Sequence, residues 1–229
     1  WGKQDVMFAG GGEELDWTLS VLFDAMGALS TRRNHSPGSA SRPFDRDRDG
    51  FVIAGGAAVL LLEAEEVARR RGARIYGEVA GYGAASDSAD MVQPNADGVA
   101  RAMRTALAEA GQPTIDYINP HATSTPSGDI AELDAIRAVF GENIPAISAT
   151  KGLTGHSIAA ISAQEAVFCL LMMRDGFVAA SANLDQTDPG YEPLPIVRQT
   201  TAQPINAVLS ASIGFGGTNA ALVFRKSDV

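Results

Sequence analysis

Hydrophobic and polar residues alternate along residues 75–82 (IYGEVAGY), the period-two pattern of a half-buried strand. Further on the period lengthens. Val99, Met103 and Leu107 recur at four-residue steps, which predicts a helix over 98–110 stopped by Gly111. A second helix is predicted over 129–140. Ile130, Leu133, Ile136, Val139 and Phe140 make its apolar face, Asp129 can cap its start, and Gly141 ends it. Apolar runs broken by glycine read as buried strands: 5–9 (DVMFA), halted by the three glycines 10–12, and 51–63 (FVIAGGAAVLLLE), interrupted by a glycine pair. Further strands are predicted at 115–119, 146–149, 177–182, 205–210 and 220–224. Residues 65–71 read as a helix ended by Gly72, and 155–173 as one long apolar helix with small residues at its start. Residues 13–26 mix loop and helix. The polar stretch 31–49 is a long ordered loop or a boundary. Strands and helices alternate, so an α/β layered fold is expected, with no fixed-period repeat.

Composition narrows the class. The 229 residues are 45% hydrophobic and 20% charged, an ordinary globular balance. The longest apolar runs, 57–62 and 166–173, fall short of the ~20 residues a membrane-spanning helix needs. No secretory signal is visible, so a cytoplasmic protein with no membrane partner is expected. A single cysteine, Cys169, excludes an internal disulfide. The net charge of −9 argues against a nucleic-acid partner. An acidic protein partner would need a local basic patch such as Arg32–Arg33 or residues 69–71. Residues 1–5 read as a helix end running into a strand, so the chain is expected to open in mid-structure.

Three loops carry candidate chemistry, each after a predicted strand, where α/β proteins place ligands. In 119–129 (NPHATSTPSGD), His121 is followed by Thr123 and Thr125, whose hydroxyls point the same way in extended chain. That suits a polar arm running past the imidazole; the plain alternative is a polar loop. In 148–157 (SATKGLTGHS), Lys151 and His156 sit on a glycine-bearing loop. Glu165 lies on the following helix and, if buried, needs a partner, for which Lys151 is the natural candidate. A solvated lysine and a core-edge histidine are the alternative. In 212–219 (SIGFGGTN), Gly214, Gly216 and Gly217 let the backbone approach a ligand closely, and the Phe215 N–H can donate to an oxyanion. A tight turn would look the same.

Taken in order and at this spacing, HATSTPSGD from His121, KGLTGHS from Lys151 and GFGGTN from Gly214 resemble the C-terminal half of the β-ketoacyl-acyl carrier protein synthases. These are thiolase-like condensing enzymes of α/β/α/β/α architecture. GGGEELDW from Gly10, FDAMGALS from Phe23, DGFVIAGG from Asp49 and SDSADMVQP from Ser86 look most like the type I branch, with type II the near alternative.

The resemblance implies acyl transfer in fatty-acid elongation. A cysteine takes an acyl chain as a thioester, and malonyl-carrier protein then loses CO2 and condenses with it. His121 and His156 would be catalytic, donating to the malonyl thioester oxygen. Lys151 would organise the second loop through Glu165. Thr123 and Thr125 would hold the pantetheine arm beside Gly216 and Gly217. The Phe215 N–H would join the cysteine N–H in an oxyanion hole. No cofactor or metal is implied. The partners would be acyl carrier protein bearing acyl and malonyl groups, and a second copy in a homodimer.

The same resemblance assigns residues 1–45 to the tail of an N-terminal half and 46–229 to a C-terminal half. It also places 5–9 near the two-fold contact, where in isolation it would be an exposed strand edge. The nucleophilic cysteine would lie outside this chain, because Cys169 sits on an apolar helix face and reads as a buried, inert thiol. A non-catalytic partner subunit, an inactive fragment and a thiolase are the competing readings.

Three departures stand out. Ala122 replaces a glycine, harmlessly if its φ is negative. Residues 157–162 (SIAAIS) replace a more glycine-rich stretch, so packing there is expected to be bulkier. Ile213 stands where the resemblance implies a gating phenylalanine.

Overall fold

The computed structural model describes residues 3–87 and 90–227. Trp1 and Gly2, and positions 88–89 within the motif at 86–94, lie outside the described residues.

Strand β1 (Val6–Glu13) pairs antiparallel with β2 (Gly56–Glu63) as a two-stranded ribbon. The glycines expected to halt β1 are inside it, with Gly10 opposite Val59 and Gly12 opposite Ala57. They thin the strand instead of ending it: a Cβ on Gly11 would sit 2.4 Å from the Ala159 carbonyl oxygen, so only glycine lets that turn lie against the ribbon. Nor is β2 buried throughout. It starts at the second glycine of the pair and alternates, with Leu60 against the core and Val59 65% exposed.

Helix α1 (Trp17–Ala25) is capped by Asp16, which accepts from the Thr18 N–H at 2.8 Å. Helix α2 (Glu65–Arg70) ends near Gly72, whose φ of +66° suits a glycine stop. Strand β3 (Glu78–Ser86) begins three residues later than expected and runs further. Helix α3 (Ala96–Glu109) follows, capped by Asn95. Then come β4 (Tyr117–Asn119), α4 (Pro126–Phe140), β5 (Ala146–Ile147), α5 (Lys151–Thr154) and α6 (Ile161–Asp175). A small ribbon pairs β6 (Phe177–Val178) with β7 (Thr201–Ala202), and β8 (Ala207–Gly214) and β9 (Thr218–Arg225) close the chain.

Two elements correct the sequence expectation. Helix α4 starts at Pro126, whose fixed φ suits a first helical position, so Asp129 lies inside the first turn and is not the cap. The helix expected over 155–173 begins only at Ile161: residues 155–160 are a non-helical link between α5 and α6, and Gly155 at φ +71° ends α5.

The main sheet has order β3-β9-β8-β4-β5, with β8, β4 and β5 parallel and β9 antiparallel to both its neighbours. Helix α6 lies between this sheet and the β1–β2 ribbon, while α3 covers the sheet's outer face and packs on α4. The layers are therefore β, α, β, α, in keeping with the expected layered α/β fold. Gly81 and Gly83 of β3 allow α3 to approach closely, since a Cβ on Gly83 would meet the Ala102 carbonyl oxygen at 2.1 Å. The polar stretch 31–49 is an ordered strap: Arg42 pairs with Asp185 at 2.8 Å and Arg48 with Asp188 at 2.5 Å, tying it to the loop before residue 190.

Candidate active site

The first loop leaves the carboxyl end of β4 and is held from below by α4. Glu132 and Asp129 lie on the helix stripe that also carries Leu133 and Ile136, and both carboxyl groups are buried. Glu132 accepts the His121 N–H at 2.7 Å and the Ala122 N–H at 2.8 Å. Asp129 accepts the Ser124 N–H at 3.0 Å and the Phe44 N–H at 2.8 Å. Between these anchors the backbone is strained: Ala122 has φ +20° and Ser124 +72°. The condition under which Ala122 would be harmless, a negative φ, is not met, and the alanine occupies a conformation suited to glycine. The Thr123 and Thr125 hydroxyls do converge, 3.1 Å apart, although the chain between them is not extended.

The second loop begins at α5. Lys151 is fully buried, and its Nζ lies 2.6 Å from Glu165 Oε1, the partner expected for a buried Glu165. The Thr150 hydroxyl donates to the same oxygen at 3.2 Å. Burial pushes the Glu165 carboxyl up from its ordinary range, and Lys151 opposes that rise. Beyond Gly155 the chain joins residues 52–54: the His156 N–H donates to the Val52 carbonyl at 2.8 Å, and the His156 carbonyl accepts from the Ala54 N–H at 3.0 Å. This clamp, and the helix break that permits it, aims His156 back at the first loop.

The two imidazoles meet edge to face, ring centres 5.1 Å apart and planes at 86°. Burial, then the Lys151 charge, then His156 hold His121 well below the ordinary histidine value. Burial and then Lys151 push His156 down to about 3. Both rings are therefore neutral near pH 7. Both Nδ1 atoms are buried without a hydrogen-bond partner. An orphaned acceptor is tolerated better than an orphaned donor, so the tautomer with the proton on Nε2 is favoured, which makes each Nε2–H the available donor.

The third loop is the turn Phe215–Gly217, where Gly216 and Gly217 have φ +77° and +75°. The Gly216 N–H is committed to the Met91 carbonyl at 2.8 Å. The Phe215 ring lies 6.1 Å from Phe23 of α1, Phe23 lies 5.2 Å from Phe51, and Phe51 lies 5.2 Å from His156. A continuous file of rings thus joins the third loop to the histidine pair. Ile213 is part of β8, which extends through a stretch expected to be loop, and it packs on the main hydrophobic core.

Sequence reasoning missed Glu132, Phe23 and Phe51, and took Asp129 for a cap. Two acids at positions i and i+3 of an apolar helix face were the available signal for the carboxylates; the ring contacts join residues far apart in sequence and left none. Cys169 is fully buried, and burial pushes its thiol well above the ordinary value, so it is no nucleophile. Among the described residues no group of three or more His, Cys, Asp or Glu is placed to hold a metal ion. No helix among them is long and apolar enough to cross a membrane.

The beta-ketoacyl synthase N-terminal domain family matches residues 1–68, and the beta-ketoacyl synthase C-terminal domain family matches 76–185. The chain is 55% identical over 225 residues to 3-oxoacyl-[acyl-carrier-protein] synthase 1 of Escherichia coli, covering 98% of this chain and 55% of that protein. It superposes on a beta-ketoacyl synthase from Burkholderia phymatum with a TM-score of 0.95 at 43% identity, over 99% of this chain and 56% of the other. A type II PKS acyl-carrier protein in complex with its ketosynthase gives a TM-score of 0.94 at 38% identity, over 99% and 57%. The chain spans about half the length of the curated relatives it matches.

Proposed function

Because this chain belongs to the β-ketoacyl synthase family, we propose that it supplies the decarboxylation half of a condensing enzyme of fatty-acid elongation. In this reading a cysteine outside the chain carries the acyl group as a thioester. Malonyl-carrier protein binds with its thioester carbonyl between His121 and His156, and the malonyl C–C bond breaks to release CO2. The electron pair passes through an enolate, whose oxygen the two Nε2–H groups stabilise, and its carbon attacks the acyl thioester. The cysteine thiolate leaves and a β-ketoacyl-carrier protein remains.

The single observation that carries this is the half-buried, edge-to-face pair of neutral imidazoles, each with its Nδ1 buried and unpartnered. A cationic ring would pair with the malonyl carboxylate and hold back CO2 loss, whereas a neutral donor gains strength only as the enolate charge develops. Lys151 serves here by keeping both rings neutral while its own charge is met by Glu165.

Other roles follow the site's layout. The paired hydroxyls of Thr123 and Thr125 lie beside His121 and suit a pantetheine amide. The Phe215 N–H completes an oxyanion hole for the acyl intermediate, with Gly216 and Gly217 allowing close approach. Ile213 borders the acyl path in place of an aromatic gate. Division of the protein at about residue 45 belongs to the same reading, and the β1–β2 ladder then binds the two portions across that point. An acyl carrier protein partner and a homodimer complete the proposal, the former supported by the carrier-bound ketosynthase on which the chain superposes.

The test uses the full-length protein. His121→Ala or His156→Ala should each slow decarboxylation of malonyl-carrier protein by about a hundredfold or more, the scale of losing one oxyanion donor. Transfer of an acyl group to the cysteine should change far less. Equal loss of both steps would remove the assignment.

A further inference from the structure

We propose that Ser41 is a positioning residue for the histidine pair: it belongs to a bracket, formed by residues 41–54, that fixes how far the loop carrying His156 stands from the loop carrying His121. The kinetic part of this inference rests on the function proposed above; the structural part does not.

The bracket touches the two loops in turn. The Ser41 hydroxyl donates to the Lys151 carbonyl at 2.6 Å, and the next residue, Arg42, donates its N–H to the Ser124 hydroxyl oxygen at 3.0 Å. Further along, the Gly50 N–H donates to the Ser124 carbonyl at 3.0 Å, and Val52 and Ala54 hold the two backbone groups of His156. One continuous stretch of chain thus grips the first loop at Ser124 and the second at Lys151 and His156. Ser41, Ser124 and Lys151 are buried, so water competes poorly for these bonds.

The gripped points are the ones that aim the rings. The Lys151 carbonyl also accepts the Gly155 N–H at 2.9 Å, the bond that closes α5, and the chain turns into His156 directly after it. Ser41 therefore fixes the base from which His156 departs. On the first loop Ser124 sits at φ +72°, a conformation that a residue with a Cβ holds only under restraint. The bracket is backed from outside. The Asn183 side-chain amide donates to the Gly38 carbonyl at 3.0 Å and the Ser41 carbonyl at 2.8 Å, and the Arg42 guanidinium bonds Asp45 at 2.9 Å and Asp185 at 2.8 Å. Two imidazoles that must meet one thioester oxygen need a fixed separation, because a misplacement of about 1 Å can cost about a hundredfold in rate.

The experiment is a double-mutant cycle in the full-length protein with Ser41→Ala and Ser124→Ala. Decarboxylation of malonyl-carrier protein and acyl loading of the cysteine are read on the same preparations. Loss of folded protein lowers both steps alike, whereas loss of spacing lowers only the step that needs both histidines. Ser41→Ala should reduce kcat for decarboxylation by about tenfold, with acyl loading changed by less than about threefold. Ser124→Ala should slow decarboxylation by a similar factor. The double variant should be no more than about threefold slower than the worse single one, because a bracket opened on one side no longer transmits to the other. A ratio of the two steps unchanged in Ser41→Ala, or a double variant slower than that limit, overturns the proposal. Amide exchange in the parent protein reads the bracket without kinetics and decides where a variant fails to fold. The Arg42 and Gly50 amides should be as protected as those of α4, and loop-like exchange overturns the bracket. If His121→Ala and His156→Ala leave decarboxylation intact, the functional reading falls while the exchange result stands.

Discussion

His156 is neutral in the folded protein because burial and the Lys151 charge push it down to about 3, whereas an unfolded histidine takes a proton near 6.5. Below pH 6.5 the unfolded state therefore binds more protons than the folded one, and stability is lost as the pH falls. The contribution is complete above 6.5 and declines through the window down to about 3. Glu132, raised by burial to about 7, has the opposite sign: its folded form holds the proton more tightly, so its contribution falls as pH rises from about 4.5 to 7. The two oppose each other in the total, and the histidine must be isolated by difference. The unfolding free energy of the parent minus that of His156→Asn should fall by up to about 1.4 kcal/mol per pH unit on acidification from 6.5, measured by urea denaturation. A difference independent of pH would mean that His156 titrates in the folded state as it does when unfolded.

Among elements, β3 and α3 show how a short-range pattern and a long-range fit combine. Alternation made β3 visible, though with its start misplaced by three residues, because Ile75 and Tyr76 continue the apolar pattern before pairing with β9 begins at Glu78. The pattern gave no reason for Gly81 and Gly83. They lie two apart and so share the face on which α3 rests, each leaving room for a helix carbonyl, that of Ala106 and that of Ala102. Gly83→Val should cost about 1–3 kcal/mol by forcing α3 away from the sheet, read as a lowered denaturation midpoint with unchanged slope. A neutral effect would show that the helix shifts freely. The same lesson applies at Gly155. The apolar spacing of 155–173 looks helical throughout, but the left-handed glycine and the bonds of His156 to residues 52–54 hold 155–160 out of the helix, which starts at Ile161, and local periodicity carries no trace of those remote partners.

At the scale of the whole molecule, the β1–β2 ribbon is the unfinished part. One face lies on α6 through Leu60, and the other carries Phe8, Val59 and Leu61, which are 73%, 65% and 46% exposed. Register places Phe8 directly opposite Leu61. The outer edge of β1 has no strand beside it among the described residues. An open, apolar, two-stranded ribbon invites strand-to-strand association, as the sequence led one to expect of residues 5–9. The chain by itself should therefore self-associate with rising concentration, and Phe8→Lys with Val59→Lys should reduce that association in light scattering. Unaltered association would locate the contact elsewhere.

What the sequence determined by itself was whatever is written in local order: the alternation of strands and helices, the glycine stops, the exclusion of Cys169, and three motif loops that in their order resemble the β-ketoacyl synthases. Lys151 and Glu165 could also be matched, because a buried charge demands a partner and few were available. Tertiary structure alone decided how those loops meet. The neutrality of the histidines comes from burial and a neighbouring charge, the positive φ at Ala122 from anchors on either side, and the file of rings from Phe215 to His156 from packing. Each depends on residues brought together from distant parts of the chain, and proximity of that kind has no period in the sequence to reveal it.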